Sequence, residues 1–249
     1  MSTAVLLDVQ AALVQQMLAP ASPPPPEQQC KSADTPLVAV MGWLGCVAAW
    51  LLFLAPMPTM RKIIRSRHIH EFSPLPYLIS MLQCFLWTVY ALPAVTPCKT
   101  QPLVTNGAGF VLELVYVLIF IRYAHAQRWA MLLKFAIVIA IAAFVCVAAL
   151  VLAPHFDFKS FPDPDASRST TVLGWTCSVF NVAMYAAPLS VVYTVLQRRS
   201  VRNMPLPLTL GCGLCSGFWT AYALMVLDMF ILVSSFGART RPRRSPQPP

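Results

Sequence analysis

The sequence predicts an all-α membrane protein, two parallel three-helix-bundle repeats joined by a linker helix. Three observations carry this. Hydrophobic residues make up 57% of the chain and charged residues only 11%, whereas a soluble domain carries about 25% charged residues. The second observation is an internal repeat that needs no gap. Trp87-Thr88-Val89-Tyr90-Ala91-Leu92 returns 132 residues later as Trp219-Thr220-Ala221-Tyr222-Ala223-Leu224. The same offset pairs Gly42-Trp43 with Gly174-Trp175, Ala55-Pro56 with Ala187-Pro188, and Arg67 with Arg199. A period of this length is too long for a solenoid and fits a duplicated half. The third is an apolar run, Phe135 to Leu152, that has no mate under the offset. It reads as a helix that only links the two halves.

The elements follow in order. Residues 1–34 contain Pro23 to Pro26 and an apolar patch interrupted by Asp8, Gln10, Gln15 and Gln16. They lack the basic start of a signal peptide and read as a disordered extracytoplasmic tail. The first repeat takes residues 35–134. Its span one, Thr35 to Met60, carries no charge, and about twenty apolar residues suffice to cross the hydrocarbon. Arg61, Lys62, Arg65 and Arg67 then form a basic loop. Span two runs from Phe72 to Val95, opening through Pro74 and Pro76, and span three, Pro102 to Ile121, carries one acid, Glu113. Residues 135–169 hold linker span four and a loop in which Asp157, Asp163 and Asp165 offset Lys159 and Arg168.

The second repeat takes residues 170–237, with span five from Thr170 to Leu196 and span six from Pro205 to Leu227. Between them Arg198, Arg199 and Arg202 form a basic loop on the same side as the first and as Arg122, Arg128 and Lys134. The positive-inside rule makes that side cytoplasmic and leaves the amino terminus outside. Four spans separate the two copies, an even number, so the halves share one orientation. The mate of span three should stand near residue 234, but only Met229 to Ala238 is uncharged there before the basic, proline-rich tail of 238–249. The second repeat is therefore read as incomplete, with its last helix missing.

The formal charge of +9 lies in short clusters between apolar runs, where membrane topology accounts for it and nucleic acid is not needed. Six of the eight cysteines fall inside apolar runs and count as small hydrophobes. Cys212-Gly-Leu-Cys215 lacks the second pair or the histidines of a redox or metal motif, and is read with Gly211, Gly213 and Gly217 as a small face for helix contact. Cys30 and Cys98 lie outside the spans on one side, and a disulfide between them is the weaker reading. No catalytic residue, metal set or cofactor is expected, and the chain is not read as an enzyme. Glu113 is a functional candidate by default, as any acid inside a span is. With no second intramembrane carboxylate or histidine to continue a relay, it is expected to pair with a loop arginine.

Taken together, L-A-P-M-P-T, F-S-P-L-P-Y, L-W-T-V-Y-A-L, T-N-G-A-G-F-V-L-E-L-V-Y, Y-A-A-P-L-S, S-V-R-N-M-P and F-W-T-A-Y-A-L-M-V-L-D resemble the SWEET (MtN3/saliva) family of sugar transporters. The resemblance covers Val38 to about Leu232, and parallel repeats are the general plan of that family. It implies facilitative, bidirectional uniport of mono- or disaccharides by alternating access. It implies hinge prolines at Pro56, Pro76, Pro188 and Pro205, and substrate binding by Asn106 and Trp219, with Trp87 as the repeat mate of Trp219. An asparagine amide offers donors and acceptors to hydroxyls, and an indole face covers the apolar side of a pyranose. The implied partners are sugar, the lipid bilayer and related transporters in a homo- or hetero-oligomer. The implied location is the plasma membrane or, alternatively, an endomembrane.

Where the family has its second asparagine, this chain reads Ser234-Ser235. An alternative reading is a truncated, non-transporting subunit that modulates full-length sugar transporters. An amino-acid exporter of the PQ-loop group fits least, since the P-Q dipeptide is absent at the start of spans two and six.

Overall fold

The computed structural model describes residues 35–69, 72–158, 160, 166–182 and 206–236, and among these there is no strand. Among the described residues three helices are long and apolar enough to cross a membrane, Pro36–Ser66, Thr100–Tyr123 and Arg128–His155, and two shorter apolar helices are Leu75–Tyr90 and Leu210–Met225. The charged loop Arg198 to Arg202, the tail 238–249, Pro188 and Pro205 lie outside the described residues.

Helix α1, Pro36–Leu54, starts on a proline, whose missing N–H costs nothing in a first turn. Pro56 then separates it from α2, Met57–Ser66. A proline withholds one i to i−4 hydrogen bond and makes the bend local. The chain stays helical beyond it, so Arg61, Lys62 and Arg65 stand on a helix and not on the expected loop. The reason is amphipathicity: Met60 and Ile63, three residues apart, are buried while the three basic residues face outward. Arg67 ends α2 with a left-handed backbone, φ 54°.

Helix α3, Leu75–Tyr90, has Pro76 in its first turn, so that proline marks a helix start and not a mid-helix bend. Helix α4, Thr100–Tyr123, packs along α3. Gly109 permits this closeness, because a Cβ there would stand 2.6 Å from the Phe53 ring and 3.0 Å from Cys84 Sγ. Helix α5, Arg128–Cys146, continues as a π turn, Val147–Leu152, and a 3-10 turn, Ala153–His155. It begins before the expected Phe135, since Arg128 and Lys134 are good helix formers whose heads reach the polar boundary. Only 11% of its apolar window is buried, although Met131 joins one core cluster and Val145 and Ala149 the other.

In the second repeat, α6 is helical over 168–182, α7 spans Leu206–Met225, and α8 spans Met229–Phe236. The described part of the repeat's last helix is thus α8, with eight residues. Its Phe230 fills the notch at Gly174, where no Cβ would fit, and lies edge-on to Trp175 and Tyr90.

The apolar interior falls into two clusters. One draws on both repeats, joining Leu86, Trp87 and Tyr90 of α3 to Cys177 of α6, Tyr222 of α7 and Phe230 of α8. The other lies at the α2 end, where Met60, Ile63, Leu78, Tyr116 and Phe120 all belong to the first repeat. Among the described residues the repeats therefore share a core at the Lys99 end and not at the α2 end.

Candidate substrate site

Between the repeats lies a cavity of about 420 Å³. Its walls come from α1, α3 and α4 on one side and α6, α7 and α8 on the other. Asn106, Trp87 and Trp219 all stand on this wall, and so do Pro56 and Pro76. The two tryptophans are held alike. Trp87 meets Tyr90 edge-on at 5.2 Å, and Trp219 meets Tyr222 edge-on at 5.5 Å, so each repeat supports its indole with a tyrosine one turn later. Trp219 is further seated on Gly45, where a Cβ would stand 3.1 Å from the indole ring.

The small face expected on span six is in contact with α1 at one of its glycines, since a Cβ on Gly211 would stand 3.3 Å from Leu52, whereas nothing lies within 4 Å of a Cβ built on Gly213. On the α1 side Gly42 and Gly45 admit the close approach. Cys212 and Cys215 are free thiols on the cavity wall. Cys212, Cys215 and Trp219 are spaced three and four residues apart, so they share the one face of α7 that lines the cavity.

The polar groups of the wall are only partly occupied. Asn106 donates from Nδ2 to the Pro102 carbonyl at 2.9 Å, which leaves its Oδ1 and second N–H for a ligand. Gln83 donates from Nε2 to the Cys177 carbonyl and to Asn181 Oδ1, both at 3.1 Å, while its Oε1 is buried with no partner. Gln83 and Asn181 were missed by sequence reasoning. The available signal was a lone amide one helical turn before Trp87. Ser234 and Ser235 line the cavity and donate to the Ile231 carbonyl at 2.8 Å each, so their hydroxyl oxygens remain as acceptors where the family's pattern has an amide.

Glu113 departs from its expected pairing. It is 4% exposed, lines the cavity, and its Oε2 has no partner. The ion pairs among the described residues are Lys99–Asp228 and Arg168–Asp157. The cations of α2 face away, and Lys62 lies over the Phe72 ring.

At the Lys99 end the cavity stops beneath a buried cluster that sequence reasoning did not assemble. Asp228 Oδ2 accepts from Tyr90 Oη at 3.0 Å and from Lys99 Nζ at 2.8 Å. Its Oδ1 accepts the backbone N–H groups of Phe230 and Ile231 at 3.1 Å, capping α8. Tyr90 and Lys99 belong to the first repeat and Asp228 to the second, so this cluster fastens one to the other. Cys98, beside Lys99, is disulfide-bonded, contrary to the weight of the sequence, while Cys30 lies outside the described residues.

The profile of a family described as "Sugar efflux transporter for intercellular exchange" matches residues 39–128 and 171–239. The chain is 36% identical over 195 residues to the bidirectional sugar transporter SWEET7 of Arabidopsis thaliana, covering 78% of this chain and 72% of that one. It is 38% identical to SWEET5 of the same plant, covering 78% and 77%, and 36% identical to SWEET4 of Oryza sativa subsp. indica, covering 81% and 74%. A solved eukaryotic SWEET transporter superposes with a TM-score of 0.71 at 28% identity, covering 85% of this chain and 93% of that one. The unmatched interval of the family profile falls on α5, and the two matched intervals fall on the two repeats. On sequence, repeat plan and fold alike, the chain belongs to the SWEET (MtN3/saliva) family.

Proposed function

We propose that the chain carries mono- or disaccharides across a membrane in either direction by facilitative alternating access. The observation that carries this reading is a cavity between two repeats in which repeat-related tryptophans, Trp87 and Trp219, stand with the half-free amide of Asn106. Indole faces and neutral amides and hydroxyls suit a polyol, whose ring has apolar faces and a polar rim.

The geometry also suggests how the site turns from one side to the other. At the Lys99 end the repeats are joined by a shared apolar core and by the hold of Tyr90 and Lys99 on Asp228. Opening that end requires these contacts between the repeats to part. Pro56 stands at the break between α1 and α2 and is proposed as a hinge, together with Pro76 and, on the family's pattern, Pro188 and Pro205. Reconstitution into liposomes tests the function directly. Saturable flux of a hexose or of sucrose above that of empty liposomes is expected, and flux equal to empty liposomes for all of them overturns the reading.

The proposed orientation puts the Lys99 end outside and α2 in the cytoplasm, in the plasma membrane, with homo- or hetero-oligomers of related carriers. Two features support the orientation: the basic residues of α2, and a disulfide at Cys98, which belongs in an oxidising compartment. A cysteine introduced by Arg61→Cys is expected to resist an impermeant thiol reagent on intact cells. Ready labelling there would invert the topology.

A further inference from the structure

We propose that Glu113 forms an acidic subsite for a protonated amine at the α2 end of the cavity, so that the carrier recognises amino sugars as well as neutral ones. This deepens the proposed sugar transport and rests on it. Glu113 is the single charged residue on the described cavity wall, and an acid taken out of water either takes up a proton or needs a partner for its charge.

The protein supplies none among the described residues. Tyr116 is close by but its hydroxyl donates to the Phe53 carbonyl at 3.0 Å, so that proton is already committed. Phe53 and Tyr77 do line the same stretch of wall, and aromatic faces beside a carboxylate are what an ammonium group prefers. An ammonium brings three donors and a full charge, which a sugar hydroxyl cannot match.

The subsite is separate from the neutral one. Glu113 follows Asn106 by seven residues, so the two share a face of α4 about 10 Å apart. A small amino sugar held by its ammonium would occupy the α2 end alone, whereas a longer amino-saccharide would reach both.

The test is binding to the purified, full-length chain, read by tryptophan fluorescence, since Trp87 and Trp219 stand on the cavity wall. Glucosamine and N-acetylglucosamine are compared at a pH where the free amine is protonated. Glucosamine is expected to bind roughly tenfold more tightly, the equivalent of about 1.4 kcal/mol. Glu113→Gln is expected to erase that preference, and Glu113→Asp, which keeps the charge, to retain part of it. Equal affinities in the unaltered protein, or a preference that survives Glu113→Gln, would overturn the proposal. Flux of a neutral hexose is measured apart in the same preparation. Absent flux with a kept amine preference strikes the transport reading alone, and normal flux without the preference strikes the subsite alone.

Discussion

Asp228→Ala should destabilise the protein by on the order of 3–5 kcal/mol, the usual cost of removing one partner of a buried ion pair. The carboxylate is the shared acceptor for Tyr90 Oη, Lys99 Nζ and two α8 amides, so four donors lose their partner at once. The Lys99 ammonium is then left 12% exposed without its counter-charge. Asp228→Asn should cost less, because an amide oxygen still caps α8. The double variant Asp228→Ala, Lys99→Ala should recover part of the loss, since no ammonium remains buried and unpaired. Thermal denaturation of the detergent-solubilised variants measures all three. If Asp228→Ala and the double variant melt together, the ion pair is not what holds that end.

The second large effect is expected at the cavity wall. Asn106→Ala and Trp219→Ala should each lower sugar flux by roughly tenfold or more, which is the loss of about 1.5 kcal/mol from one hydrogen-bonding or stacking contact. Asn106→Ala should leave the melting temperature nearly unchanged, because the amide makes one local bond to Pro102 in its own helix. Trp219→Ala should also loosen the packing on Gly45, so its flux is compared at equal reconstituted protein. Flux unchanged in either variant would remove that residue from the sugar site.

Most of the fold was legible because apolar length and a repeated offset are one-dimensional signals. Spans three and six matched the observed helices closely, at Thr100–Tyr123 and Leu206–Met225. The ends of α2 and α5 were not legible, since a charge ends an apolar run but does not end a helix. Arg61 and Arg128 both lie inside helices that outlast their apolar stretch.

Within the site, Trp87 and Trp219 could be found from the repeat, and Asn106 from the family pattern. The Asp228 cluster could not. Lys99 reads as a solitary loop residue, and its partner stands in the other repeat at a distance that no local period encodes. Glu113 was expected to meet an arginine because the sequence places basic residues nearby. The structure sends those cations outward along α2, and which face of a helix a cation takes is fixed by the burial of its neighbours Met60 and Ile63.

A unit of three crossings, copied head to tail, would insert its second copy upside down. Helix α5 prevents this by adding one more crossing, and it does so while burying little of its surface. Its obligations are accordingly to the bilayer: enough length, enough oiliness, and a polar boundary at each end. Its side chains answer mainly to the bilayer, with Met131, Val145 and Ala149 as the exceptions that meet the core. The two copies answer chiefly to each other, through the core that Trp87 and Tyr90 of one build with Tyr222 of the other.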